Sequence, residues 1–294
     1  MKVKHSVLFA LTTVGAVTPS VAERPNVILI YIDDMGIGDV GCYGGRYTPT
    51  PNIDQLAKDG IRFDHYYSAA PVSSPSRTGV MTGMFPIRHK INTYLSDKVH
   101  NKNHEQRDFV DLNAPMISRE FQKVGYATAH IGKWHMGGGR DVDNAPSILK
   151  YGFDYCISTW ESTNPDPLLT ASNWIWCNDD SIKRWNRTGY FVDKTVEYIQ
   201  KQAGKPFYIN LWPDDVHTPW VPEDLRDNKK EWESEEAFTK VMAETDRQIG
   251  RLINALDQMG LSENTLIIFT SDNGPAQSFN NVRGCGLRGQ KNSL

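Results

Sequence analysis

Small hydroxyl side chains, a proline and an arginine lie together in the segment Pro71–Gly83, which reads PVSSPSRTGVMTG. Pro75 has a fixed φ that suits a turn or a first helical position, so the sequence predicts a helix from Ser76 onward. The N–H groups and dipole of that helix would face Ser73, and Arg77 would add a permanent positive charge. The segment therefore indicates a nucleophile that handles an anion. The alternative is a serine-rich turn that caps an ordinary helix.

Oxygen-bearing side chains follow two apolar runs of the chain. Asp33 and Asp34 come directly after the run 26–32, NVILIYI, which is typical of a strand buried on both faces of a parallel sheet. Asp272 and Asn273 follow a similar run at 265–270. These hard ligands suit calcium or magnesium, whereas zinc favours histidine or thiolate.

Two further predicted strands lead into basic and histidine side chains. Lys133 and His135 follow the run 126–131, and His217 comes shortly after the run 206–211. Because ligands bind at the carboxyl edge of open α/β sheets, we expect all these polar groups to share one edge. Each of these motifs also has a purely structural interpretation. Acidic pairs cap helices and stabilise turns, and a lone histidine is more often structural than catalytic.

Three helices are predicted between these strands, from capping residues, terminating glycines and apolar residues at helical spacing. Their ranges are 50–60, 113–125 and 234–260. In the second helix, Ile117, Phe121 and Val124 share one face. The alternation of strand and helix predicts the α/β class, with a mostly parallel central sheet sandwiched by helices.

Residues 1–22 have the organisation of a signal peptide, with a basic start, an apolar run at 7–17 and the small-residue end Ser20-Val21-Ala22. The apolar run is short for a membrane span, and no other segment approaches one. We therefore expect an exported protein, periplasmic or secreted, without a membrane span. The formal net charge of −3, with mixed signs along the chain, argues against a nucleic-acid partner.

The four cysteines lack the paired spacing of a metal site, and export would permit disulfides. Three complete pairings are possible, and we expect Cys156 with Cys177, because this bond would close the loop-like segment 155–178. That segment and its flank also hold four tryptophans, which stack on sugar rings in some proteins but more often pack against a sheet. They are Trp160, Trp174, Trp176 and Trp185.

Six motifs, in this order, resemble those of the formylglycine-dependent sulfatases in their serine-type bacterial form, with arylsulfatases and N-acetylgalactosamine-6-sulfatases among the similar proteins. The motifs are Asp33-Asp34, Ser73-x-Pro75-Ser76-Arg77, Gly132-Lys133-Trp134-His135, His217 before Thr218-Pro219, Ser271-Asp272-Asn273-Gly274 and Arg288-Gly289-x-Lys291. The resemblance runs from about Arg24 to the last residue and implies an alkaline-phosphatase-like sulfatase fold. Since family members continue into a smaller C-terminal subdomain, it also implies that 23–294 is an incomplete catalytic domain that lacks this subdomain.

The resemblance further implies a modified nucleophile and one metal ion. A serine-type sulfatase-maturating enzyme would oxidise Ser73 to formylglycine, whose hydrate attacks the sulfur of a sulfated saccharide and forms a sulfoenzyme intermediate. One Ca²⁺ ion would be bound by Asp33, Asp34, Asp272, Asn273 and the modified Ser73.

The remaining motif residues would handle the sulfate and the protons. By resemblance, Arg77 and Lys133 would hold the aldehyde hydrate and the sulfate, and His135 would orient or deprotonate the hydrate. His217 and Lys291 would contact the sulfate, with His217 as the acid that protonates the leaving oxygen.

Three functions are open at this point. The first is an exported sulfatase that hydrolyses sulfate esters on sulfated carbohydrates. The second is a phosphate- or phosphonate-ester hydrolase on the same scaffold, although the sequence has no clustered histidines of the kind that bind zinc. The third is a truncated, inactive product that binds sulfated glycans.

Overall fold

A parallel sheet of five strands forms the centre of the structure, a computed structural model that describes residues 24–169 and 179–293. The strands are β1 (Asn26–Ile32), β2 (Ala127–Gly132), β3 (Tyr155–Ser158), β4 (Phe207–Trp212) and β5 (Thr265–Ser271). Their spatial order is β3-β2-β4-β1-β5, and each of the four neighbouring pairs is parallel. The predicted α/β class with a mostly parallel sheet is confirmed.

Six α-helices accompany these strands in the described ranges. They are α1 (Pro51–Asp59), α2 (Ser73–Thr82), α3 (Lys98–Asn103), α4 (Ile117–Lys123), α5 (Arg187–Gln200) and α6 (Glu235–Gln258). One face of the sheet packs against apolar side chains of α1, α5 and α6, and the other face packs against α2, α4 and the segments around them. The expected sandwich of helices around the sheet is therefore present. None of these helices is both long and apolar enough to cross a bilayer.

β1 is buried along its whole length, as its unbroken apolar sequence predicts. Ile28 and Ile30 point into the core layer that includes α5 and α6, while Val27 and Leu29 point into the opposite layer. β5 pairs only with β1 among the described strands, and its Leu266 and Ile268 side chains are about half exposed. β1 is thus a fully buried strand of the sheet, whereas β5 is partly exposed.

The predicted helices 50–60 and 234–260 are confirmed, but they are capped differently. Ser234 caps α6 as expected, since its hydroxyl accepts a hydrogen bond from the Ala237 N–H at 3.1 Å. Thr50 does not cap α1 with its side chain. The buried carboxylate of Asp246, on α6, accepts from the N–H groups of Asn52 and Ile53 at 3.1 and 2.9 Å. A tertiary contact therefore replaces the local cap.

The prediction of a helix over 113–125 is wrong in its length. The helix spans only Ile117–Lys123, and Ile117 and Val124 are exposed. Pro115 explains the late start, because a proline disfavours helical geometry at the residue before it. The segment predicted to be a loop, 155–178, also begins with a strand, β3.

Several sequence predictions concern residues outside the described ranges. The signal peptide at 1–22, the pairing of Cys156 with Cys177, and Trp174 and Trp176 are among them. They stay predictions.

Asp246→Ala should lower the free energy of unfolding by about 1–3 kcal/mol, because it leaves the first N–H groups of α1 buried without an acceptor. Urea denaturation followed by circular dichroism measures this change. Asp257→Ala, on the exposed side of the same helix, is the matched control and should stay within about 0.5 kcal/mol of the original chain. Equal stabilities of the two variants would show that Asp246 does not stabilise α1.

Candidate active site

The polar residues that follow the strands meet at the carboxyl edge of the sheet. Ile32 is in register with Ser271 across the β1–β5 pair, so Asp33 and Asp272 leave the sheet side by side. Lys133 follows β2, and its N–H donates to the Trp212 carbonyl at the end of β4 at 2.9 Å. The expectation that these groups share one edge is confirmed.

Three buried carboxylates form the centre of the site. Oxygen atoms of Asp33, Asp34 and Asp272 lie within 4.8 Å of one another. The Asp34 N–H donates to Asp272 Oδ1 at 3.0 Å, and the Asn273 amide donates to Asp34 Oδ1 at 2.8 Å. We call these four residues the acidic centre.

Asp34 has a backbone φ of +57°, a region that few non-glycine residues adopt. Arg283 holds this turn, because its guanidinium donates to the Asp34 carbonyl at 2.8 Å and pairs with Asp39 at 2.7 Å. Arg283 is buried against the rings of Phe238 and Trp220. The sequence analysis did not identify Arg283, and no motif or spacing in the sequence marks it.

Three cations surround the acidic centre. Arg77 Nη2 lies 3.0 Å from Asp33 and 2.9 Å from Asp272, and Lys133 Nζ lies 2.8 Å from the other oxygen of Asp33. Lys291 Nζ lies 2.6 Å from Asp34. Each carboxylate therefore has a cationic partner, which offsets much of the cost of burying it.

The predicted start of the α2 helix, at Ser76, is wrong by three residues. Ser73 is itself the first residue of α2, and the Ser76 N–H closes the first turn on the Val72 carbonyl at 3.2 Å. Pro75 is the third helical residue. It fits there because the first N–H groups of a helix have no partner within the helix.

Within α2, Arg77 is one turn after Ser73, so both side chains lie on one helix face. Arg77 Nε donates to Ser73 Oγ at 2.7 Å while the same guanidinium bonds Asp33 and Asp272. Arg77 is fully buried against the ring of Trp212, 5.2 Å from the ring centre. The serine hydroxyl is thereby fixed beside the acidic centre.

The carboxylates of the acidic centre differ in their pKa values although each has a cationic partner. Burial raises the pKa of Asp33, but the charges of Lys133 and Arg77 outweigh this effect and hold the pKa well below its usual value. In contrast, burial and the Asp33 charge raise the pKa of Asp272 to about 7. A cation bound here would favour the ionised form of Asp272.

The acidic centre fits a calcium ion by an observation independent of charge. The side-chain oxygen of Asn273 is buried and has no hydrogen-bond partner in the described part of the chain. Three carboxylates with one spare amide oxygen are the hard ligands that calcium prefers. The predicted ligands Asp33, Asp34, Asp272 and Asn273 are therefore brought together.

His217 and Lys291 are hydrogen-bonded to each other beside Asp34. Nδ1 of His217 contacts the Thr218 carbonyl at 2.6 Å, so this nitrogen is the donor and Nε2 is an acceptor. Lys291 Nζ donates to Nε2 at 3.0 Å. Burial lowers the pKa of His217, against the opposing charges of Asp34 and Asp33. The ring is therefore neutral at neutral pH and shares a lysine proton.

His135 joins this network only through a residue that the sequence analysis missed. Nine of the ten predicted site residues are linked by direct polar contacts, from Ser73 through Arg77 to the acidic centre, Lys133, Lys291 and His217. His135 Nε2 instead lies 3.7 Å from Glu161, which in turn lies 3.8 Å from Lys133. Glu161 is in no recognisable motif.

Comparison with known proteins identifies the family of this chain. A family profile described as Sulfatase matches residues 25–292. The chain is 29% identical to an N-acetylgalactosamine-6-O-sulfatase of Bacteroides thetaiotaomicron, over 86% of this chain and 60% of that protein. It is also 29% identical to human arylsulfatase A, over 97% of this chain and 58% of that protein.

A solved structure from work on the metabolism of multiple glycosaminoglycans by Bacteroides thetaiotaomicron has the same fold, with a TM-score of 0.69 at 26% identity. The superposition covers 87% of this chain and 64% of that one. The chain thus spans about 60% of the length of the curated relatives it matches. Together with the alkaline-phosphatase-like sheet and the profile match over nearly the whole chain, these likenesses show that it belongs to the sulfatase family.

Proposed function

We propose that this protein hydrolyses sulfate esters with a formylglycine made from Ser73 as its nucleophile. The observation that carries the proposal is the placement of Ser73 Oγ, bonded to Arg77, beside a buried acidic centre that fits calcium. Ser73 is also the first residue of α2, where helix N–H groups favour an anion. These features suit attack on a negatively charged ester.

Two groups would supply chemistry that the unmodified side chains lack. Calcium, held by Asp33, Asp34, Asp272, Asn273 and the modified residue 73, supplies a Lewis acid that offsets the negative charge of a sulfate oxygen. A formylglycine hydrate supplies two hydroxyl groups on one carbon, which a serine side chain does not have.

The other residues of the site bind the anion and move protons. Arg77 places a fixed positive charge next to residue 73, and Lys133, which pairs with Asp33, would add a second positive charge for the sulfate. His135 accepts a proton at Nδ1, the ring nitrogen that has no hydrogen-bond partner. Lys291 and His217 share a proton between Nζ and Nε2, and His217 passes it to the leaving oxygen of the substrate.

A carbohydrate sulfate is the proposed substrate class. The proposal rests on the names of the similar proteins, an N-acetylgalactosamine-6-O-sulfatase and a protein of glycosaminoglycan metabolism. The predicted signal peptide adds an exported location, periplasmic or secreted, where polymeric sugars are accessible. A serine-type maturating enzyme would be the protein partner.

Co-expression with a serine-type maturating enzyme should remove about two hydrogen atoms from the mass of the peptide that carries Ser73. The matured protein should hydrolyse 4-nitrophenyl sulfate faster than 4-nitrophenyl phosphate. Ser73→Ala should abolish turnover, whereas Ser262→Ala, at an exposed position, should not change it. Full activity with an unmodified Ser73 would contradict the nucleophile, and faster cleavage of the phosphate would favour a phosphate-ester hydrolase.

Chelation should remove activity, and calcium should restore it better than zinc. Because the ion binds the ionised form of Asp272, whose pKa is raised to about 7, calcium binding should release a proton. Calcium affinity measured by calorimetry should then fall by up to about tenfold per pH unit below 7. Asp272→Ala should weaken binding while the exposed control Asp224→Ala should not; equal affinities would remove Asp272 from the site.

His217→Gln should lower kcat on a saccharide sulfate by about 10²–10⁴-fold, because an alkoxide leaves slowly without a proton. The same variant should lose much less activity on 4-nitrophenyl sulfate, because nitrophenolate leaves without protonation. His104→Gln, at an exposed position, is the control. Equal losses on the two substrates would show that His217 is not the acid.

A further inference from the structure

Glu161 is a buried acid that the proposed mechanism does not use. Its side chain is 8% exposed, and its two oxygens lie 3.7 Å from His135 Nε2 and 3.8 Å from Lys133 Nζ. In the parts of the chain that the structure describes, no donor lies within hydrogen-bond distance of this carboxylate. Its polar contacts are the two longer ones to His135 and Lys133. Glu161 therefore faces the two cationic or ionisable groups at the end of β2.

The backbone holds Glu161 in this position. The His135 N–H donates to the Glu161 carbonyl at 3.0 Å. The bend that carries Glu161 also packs tightly against the glycines after His135. A Cβ atom on Gly138 would lie 2.5 Å from the Thr163 nitrogen, and one on Gly139 would lie 2.7 Å from the Trp160 oxygen. Only glycine permits this approach, so the position of the carboxylate relative to His135 is fixed by close packing.

The hydrogen bonds of His135 determine which ring nitrogen is basic. Nε2 lies 3.0 Å from the Leu95 carbonyl, and a carbonyl only accepts, so Nε2 carries the hydrogen. Leu95 is held in turn by Ser74, next to the nucleophile, through a 2.8 Å bond. Nδ1 is buried and has no hydrogen-bond partner among the residues that the structure describes. The neutral ring therefore presents a lone pair at Nδ1, and Glu161 lies on the opposite side of the ring, at Nε2.

The charges around His135 make its protonated form costly. Burial lowers the pKa of His135, Glu161 opposes this effect, and Lys133 and Arg77 add to it, so that the pKa lies at about 4. Burial raises the pKa of Glu161, but His135 and Lys133 outweigh this effect, so Glu161 is charged at neutral pH. Among these groups only Glu161 contributes a negative charge next to the ring.

We propose that Glu161 is a positioning residue that stabilises the imidazolium form of His135 during turnover. A proton from the nucleophile forms the Nδ1–H bond, the Nε2–H bond to Leu95 is kept, and the positive ring then lies beside the Glu161 carboxylate. The O–H bond of the hydrate breaks as the Nδ1–H bond forms, and the ring becomes neutral again when Nδ1 gives this proton to water; no electrons are exchanged. The inference rests on the proposed function, in which His135 is the proton acceptor.

A charge-removing variant tests the proposal in the full chain matured as above. Glu161→Gln keeps the shape of the side chain and should lower kcat at least about tenfold, with KM changed less than about twofold. Glu161→Asp keeps the charge and should retain more of kcat than Glu161→Gln. Glu120→Gln, an exposed acid paired with Lys123, is the matched control and should behave as the original chain.

A second readout does not depend on activity. In the unmodified chain with ¹⁵N-labelled histidine, the Nδ1 resonance of His135, assigned with His135→Gln, reports the protonated fraction of the ring. At the lowest pH at which circular dichroism shows both chains folded, Glu161→Gln should have a smaller protonated fraction than the original chain. Identical Nδ1 shifts in the two chains would overturn the proposal.

The outcomes separate this inference from the proposed function. A rise in KM for a saccharide sulfate at unchanged kcat would make Glu161 a substrate contact and would overturn the positioning role. Equal kcat in Glu161→Gln and Glu120→Gln would also overturn it while leaving the sulfatase activity intact. Absence of sulfate-ester hydrolysis in the matured original chain would instead contradict the proposed function itself.

Discussion

Mutual repulsion among three carboxylates is the constraint around which this structure is organised. Asp33, Asp34 and Asp272 are brought within 4.8 Å of one another in a site that water barely reaches. Such a group is unfavourable unless positive charge surrounds it. Arg77, Lys133 and Lys291 supply that charge from three different parts of the chain. This balance of charge explains why Arg77, a residue of α2, can be fully buried.

The same balance connects the nucleophile to the acidic centre. Arg77 bonds Ser73 with one nitrogen and the carboxylates of Asp33 and Asp272 with another. A shift of the carboxylates would move the guanidinium, and the guanidinium would move the hydroxyl. The aromatic rings of Tyr31 and Trp212 hold Arg77 from behind and limit such movement. Arg77 therefore links the acidic centre to the nucleophile through a single side chain.

The sequence was most informative where one local pattern determines the structure. The apolar run of β1 ends in two acids, and the strand ends there in the structure. Local patterns failed where a tertiary contact or a proline decided the outcome, as for the cap of α1 and for the start of α4. The partners of Glu161 and Arg283 lie far away in sequence, so no spacing marks either residue; Arg283 and Asp39 are 244 positions apart. The motif resemblance identified the site residues that belong to family motifs. It did not identify Glu161 and Arg283, which contact those residues.

The contacts of Asp34 also constrain the order in which the site is built. Its N–H, its carbonyl and its carboxylate bond Asp272, Arg283 and Lys291, which are 238, 249 and 257 residues later in the chain. During synthesis, Asp34 leaves the ribosome long before any of these partners exists. Contacts of such sequence separation form late, because a long loop must close first. A nascent chain thus holds an unfinished site around Asp34 until Lys291 has been added.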